Sequence, residues 1–168
     1  MPFFPSLRAG FCAVLLALSI PVQADPTPSS TEETPSLVQR YATGAQQAIQ
    51  QALDLVGIRY HPGGSAPETG FDCSGFVGHV FKEGLGLILP RSAREMSKAG
   101  EFIQKNELQP GDLVFFNTMR RAFSHVGIYL GNNLFVHAPR IGGLVRIEDL
   151  RDTYWTQRYD GARRIGGG

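Results

Sequence analysis

Cys73, in the stretch Gly-Phe-Asp-Cys-Ser-Gly-Phe-Val, and two histidines far downstream, His125 and His137, are the side chains of this chain whose types could do covalent chemistry together. A thiol becomes a nucleophile when it loses its proton, and an imidazole is the side chain suited to take that proton near neutral pH. A further polar group that holds the imidazole in one orientation completes the arrangement of a cysteine nucleophile with its general base. On this reading Cys73 is the nucleophile, His125 the base and later the acid, and His137 the orienting residue.

The elements that must position these groups can be read from the spacing of apolar residues. Phe76, Val77, Val80 and Phe81 lie on the same side of a 3.6-residue helix as Cys73. Cys73 is therefore expected on the first turn of a helix, along its buried face, with Asp72 as N-cap and the helix dipole favouring the thiolate. An earlier amphipathic helix is expected from Gly44 to Val56, and a short one within the stretch LPRSAREMSK, residues 89–98. Downstream, residues 113–117, 125–131, 133–138, 143–149 and 159–165 read as strands. Helices followed by a run of strands argue for an α+β fold with an antiparallel sheet.

The two histidines flank a hairpin whose register can be tested against its apolar pattern. A three-residue loop, Gly131-Asn132-Asn133, pairs Leu130 with Leu134 and Gly127 with His137. It then puts Val126, Ile128, Leu130, Leu134, Val136 and Ala138 on one face, and His125, Gly127, Tyr129, Phe135 and His137 on the other. A two-residue loop would put the histidines on opposite faces. Because register is set by the face that must be buried, the first pairing is expected, with Gly127 clearing room beside His137. The other histidines are less promising: His79 falls off the buried side of its helix and reads as solvated, and His61 sits in a Gly/Pro loop.

Composition bounds the rest. The 168 residues suffice for one domain, and with 16 Lys and Arg against 15 Asp and Glu no bulk charge points to nucleic acid or an anionic membrane. Arg8, an apolar run from Ala9 to Ile20 and the tripeptide Val22-Gln23-Ala24 form a signal-peptide pattern over residues 1–24. The run is shorter than the roughly 18 residues a membrane span needs, so an exported chain without a membrane anchor is expected, periplasmic or secreted. Residues 25–36, rich in Pro, Ser, Thr and Glu, read as a disordered linker, and 37–168 as the single domain. Cys12 leaves with the signal, so the mature chain keeps one cysteine and no internal disulfide.

The strings GIRYHPGG, DCSGFV, LPRSA, LQPGDLVFF, HVGIYLG, FVHA and YWTQRYDGARRI, in that order, resemble the NlpC-type cell-wall cysteine peptidases, and among them small Gram-negative periplasmic murein endopeptidases. The resemblance spans about Gly44 to Ile165. It implies a compact papain-like fold, no cofactor or metal, a monomer, and hydrolysis of peptide bonds in peptidoglycan stem peptides or cross-links through a thioester acyl-enzyme. It implies the triad Cys73, His125 and His137, and an oxyanion site from the Tyr60 hydroxyl and the Cys73 amide. Asp72, Ser74, Arg91 and Ser92 are placed at the substrate, with Arg91 available to a substrate carboxylate. Two other chemistries fit less well. A zinc site from the same three residues lacks the usual short ligand spacings, and thiol–disulfide exchange lacks a Cys-x-x-Cys pair. A non-enzymatic wall-binding module would have no use for the three residues in register.

Overall fold

The computed structural model describes residues 36–118 and 120–166. The expected signal peptide and nearly all of the expected linker lie outside these residues. The elements are helices α1 (Leu37–Asp54), α2 (Cys73–Leu85), α3 (Ala93–Met96) and α4 (Thr153–Thr156), and strands β1 (Ser65–Ala66), β2 (Gly70–Phe71), β3 (Glu101–Ile103), β4 (Leu113–Phe116), β5 (His125–Gly131), β6 (Leu134–His137), β7 (Arg146–Asp149) and β8 (Tyr159–Arg164). The architecture is α+β: six antiparallel strands in the order β3-β8-β4-β5-β6-β7, with α1 and α2 packed on one face.

Helix α1 starts seven residues before the expected Gly44. The reason is a capping box, which periodicity does not reveal: Ser36 accepts from the Gln39 amide at 3.2 Å while the Gln39 side chain accepts from the Ser36 amide at 2.8 Å. Helix α2 begins where expected, at Cys73, because the Asp72 carboxylate accepts from the Gly75 amide at 2.7 Å. It ends at Gly86 in the left-handed conformation, φ 67°. Its buried face, Phe76, Val77, Val80 and Phe81, is the one its spacing demands, each side chain contributing about 1.5–3 kcal/mol by burial.

A close backbone approach fixes where α2 begins relative to the loop before it. The Gly64 carbonyl accepts from the Asp72 amide at 3.0 Å, and the Gly63 amide donates to the Asp72 carboxylate at 3.1 Å. A Cβ on Gly75 would stand 2.0 Å from the Gly64 oxygen, so only glycine fits one turn above the loop.

The β5–β6 hairpin pairs Ile128 with Val136 and Tyr129 with Phe135, as the buried-face argument requires, but it is not closed by a three-residue loop. Gly131 pairs with Leu134 across a two-residue turn, Asn132 and Asn133, both at positive φ, and a bulge at Leu130 absorbs the extra residue. The bulge lets the tightest turn coexist with the required alternation. Val126, Ile128, Val136 and Ala138 enter the core under α1 and α2. The opposite face is also covered. Val114, Phe116, Tyr129, Phe135, Trp155 and Ala162 form a second core there, which the expected strand pattern did not disclose.

Candidate active site

Cys73 opens α2 with its side chain half-buried against the sheet, and the backbone amides of Val126, Ser74 and Cys73 itself point at the sulfur. Val126 follows His125 directly, so the helix sets the thiol on β5 beside the first histidine. The expectation that the helix terminus would leave an acidic thiol does not hold. Burial first, and then the neighbouring Asp72 carboxylate, push the Cys73 thiol up, and these outweigh the three amides that pull it down.

His125 is 3% exposed and His137 fully buried. The Nε2 atom of His125 lies 2.7 Å from Nδ1 of His137, with ring centroids 5.0 Å apart. Gly127 permits this: a Cβ there would meet the Phe135 ring at 2.8 Å and the His137 Cβ at 3.2 Å. Burial, and then the proximity of His137, hold His125 well below the usual imidazole range. Burial lowers His137 as well, although Glu148 opposes it. Burial thus pushes both thiol and imidazole toward their uncharged forms.

Three participants were missed in the sequence. Glu148 on β7 places Oε2 2.7 Å from His137 Nε2, and Arg146 holds its other oxygen at 2.7 Å. Extending the strand pairing by one strand would have found both, since Arg146 pairs with His137 and Glu148 with Phe135. Trp155, on the four-residue α4, lies along His125 at 5.8 Å and 22° and stands edge-on to His137 at 5.0 Å. No periodicity marks it, because its helix is a single turn.

The residues expected at the substrate line one cleft. Asp72, Cys73, Ser74, Arg91 and Ser92 border a volume of about 430 Å³ that also touches Arg94, Arg121 and Phe123. Within it Arg91 is engaged: its guanidinium reaches Asp72 at 2.7 and 3.0 Å and the Ser74 hydroxyl at 2.9 Å. Burial would raise Asp72, but Arg91, the Gly75 amide and Ser74 outweigh it, and the carboxyl sits below its ordinary range. Ser92 lies on the rim with its hydroxyl bonded to Glu95 at the start of α3. Tyr60 packs near the same place, bridged to Phe71; burial, Cys73 and Asp72 raise its phenol against the pull of Arg91, so the hydroxyl keeps a proton to donate. His61 is exposed. His79 is not simply solvated, since its ring packs 5.1 Å from Phe71 and it is half-buried. Among the described residues no group of three or more His, Cys, Asp or Glu is arranged to hold a metal ion, and no helix is long and apolar enough to cross a membrane.

A helix-borne cysteine set against a strand that carries a histidine, with a second histidine on the neighbouring strand, places the domain in the papain-like class. The chain belongs to the NlpC/P60 family, whose sequence profile matches residues 57–164. It is 42% identical over 137 residues to the Escherichia coli K12 protein named murein DD-endopeptidase MepS/murein LD-carboxypeptidase, covering 82% of this chain and 71% of that one. It is also 42% identical over 121 residues to murein DD-endopeptidase MepH of the same strain, covering 70% of this chain but only 45% of MepH. The solved structure of an NlpC/P60 family protein from Bacillus cereus superposes with a TM-score of 0.67 at 34% identity, over 72% of this chain and 40% of that one.

Proposed function

We propose that this protein is an exported peptidoglycan hydrolase that cleaves peptide bonds of murein stem peptides or their cross-links through a Cys73-His125-His137 triad. The observation that carries this reading is the buried row of hydrogen bonds from His125 through His137 to Glu148, which begins one residue from the Val126 amide that points at the Cys73 sulfur. A histidine pair desolvated in this way is poor packing but a well-held base.

In the reaction the Cys73 proton passes to His125 as sulfur attacks the scissile carbonyl carbon. The oxygen that becomes negative receives the Cys73 amide, which as the first helical residue has no carbonyl partner within its helix, and the Tyr60 hydroxyl. Collapse of the adduct breaks the carbon–nitrogen bond, and the imidazolium returns its proton to the departing amine. Water, deprotonated by His125, then hydrolyses the thioester and restores the thiol. Asp72 and Ser74, braced by Arg91, shape the cleft beside the sulfur, with Ser92 on its rim.

The names of MepS and MepH point to the D,D cross-link, and the bond between D-glutamate and the diamino acid is the other candidate. Digestion of purified peptidoglycan followed by mass spectrometry of the new termini distinguishes them. Cys73→Ala should fold normally and release no fragments. Undiminished digestion by that variant would remove Cys73 as nucleophile.

A further inference from the structure

A neutral imidazole has one N–H donor and one acceptor nitrogen, so a chain of imidazoles passes on whatever polarity is imposed at its end. Here one end is imposed. Arg146 occupies Oε1 of Glu148 from Nε at 2.9 Å and from Nη2 at 2.7 Å, and Oε2 faces His137. Burial alone would raise Glu148, but the hydrogen bond from His137 and the guanidinium of Arg146 hold it below the usual carboxylate range. The ionised carboxylate has no proton to give, so His137 must carry a proton on Nε2. Both rings are buried, and burial lowers the basicity of each, so neither holds two protons at neutral pH. The Nδ1 of His137 is then an acceptor, and at 2.7 Å it can only receive the proton on His125 Nε2.

We infer that Glu148 is a positioning residue which, through His137, sets the tautomer of His125 so that its Nδ1 is left bare as the proton acceptor. This rests on the proposed role of His125 as base and extends it to a residue that touches neither substrate nor thiol. Without Glu148 the chain of donors has no fixed direction. His137 could then carry its proton on Nδ1 and accept at Nε2. His125 would in turn protonate Nδ1 and present the thiol with a nitrogen unable to take a proton. Trp155, lying along His125 and edge-on to His137, keeps the rings in place whichever way the protons run. The loss is thus one of protonation rather than of structure, and Glu148 itself is partly exposed at the β7 edge of the sheet.

The test is ¹⁵N NMR of the imidazoles in the histidine-labelled full chain, beside steady-state kinetics on a soluble muropeptide. In the wild type both His125 and His137 should give the Nε2–H signature. Glu148→Ala should mix the tautomers and lower kcat on the order of tenfold with KM unchanged, short of the roughly 10²–10⁴-fold that a general base itself supplies. Glu148→Gln, whose amide oxygen can still accept from His137, should recover part of both. A wild-type spectrum with the His125 proton on Nδ1 overturns the inference, and so does a Glu148→Ala variant with unchanged tautomers or unchanged kcat. If instead the tautomers respond as stated but the wild type cleaves no muropeptide, the relay stands and the peptidase reading fails.

Discussion

At the scale of single residues, the site is assembled from groups whose burial works against their charged forms. Cys73 is raised by burial and by Asp72, and His125 is lowered by burial and by His137. In the proposed mechanism, the same desolvation that disfavours the ion pair makes His125 ready to give its proton up again to a leaving amine. Iodoacetamide reads the consequence directly, since it reacts with the thiolate. Alkylation of Cys73 should climb only as pH rises above the ordinary thiol range of about 8.5. A rate already at plateau below pH 7 would show that a thiolate–imidazolium pair forms in the free protein after all. Arg91 illustrates the same dependence on neighbours: a cation facing the cleft is committed to Asp72 and Ser74, so it stiffens the start of α2 before it meets any substrate.

At the scale of elements, the position of the sulfur depends on a contact between two backbones. The loop through Gly63 and Gly64 bonds to both the amide and the carboxylate of Asp72, and lies under Gly75. Gly75→Ala must displace either the loop or the first turn of α2, because the new carbon would meet a carbonyl oxygen at 2.0 Å. Overpacking of this kind costs about 1–3 kcal/mol. A urea titration should show a stability loss of that size, with peptidoglycan hydrolysis falling further because Cys73 moves with its helix. A variant with the wild-type midpoint and rate would mean that the loop yields without cost. On the sheet, the bulge at Leu130 performs the matching service for the histidines, keeping both on one face across a two-residue turn.

At the scale of the whole molecule, the shifted groups set the pH range of stability. His125, His137, Asp72 and Glu148 all have lowered values, so the unfolded chain binds more protons than the folded one as pH falls. Their contribution is complete above the unfolded imidazole value of about 6.5 and fades in two stages, the histidines first and the carboxylates below about pH 4. Cys73 and Tyr159 act in the opposite sense. Cys73 is raised, and Tyr159 is pushed up to about 12, chiefly by burial, so stability also declines as pH climbs past the ordinary thiol and phenol values. Urea midpoints measured across this range should peak between roughly pH 7 and 8 and already fall by pH 5.5, with His125→Gln flattening the acid side. Constant or rising midpoints on acidification from pH 7 to 5.5 would contradict the buried, neutral histidine pair.

The start of α2, its buried face, strands β4 to β8 and the shared face of His125 and His137 were legible in the sequence alone, whereas the short β1, β2 and β3 were not. Each legible feature follows from a local rule: an N-cap, a 3.6-residue period, or an alternation tied to one buried side. The motifs of the sequence also carried the family. What it left open lay wherever the cause was distant along the chain. Glu148 meets His137 eleven residues away only because β7 pairs with β6, and Trp155 reaches both imidazoles from a one-turn helix with no pattern of its own. The acidity of Cys73 was misjudged because the helix terminus is a local feature, while burial and the outcome of competing neighbours exist only once the helix has docked on the sheet.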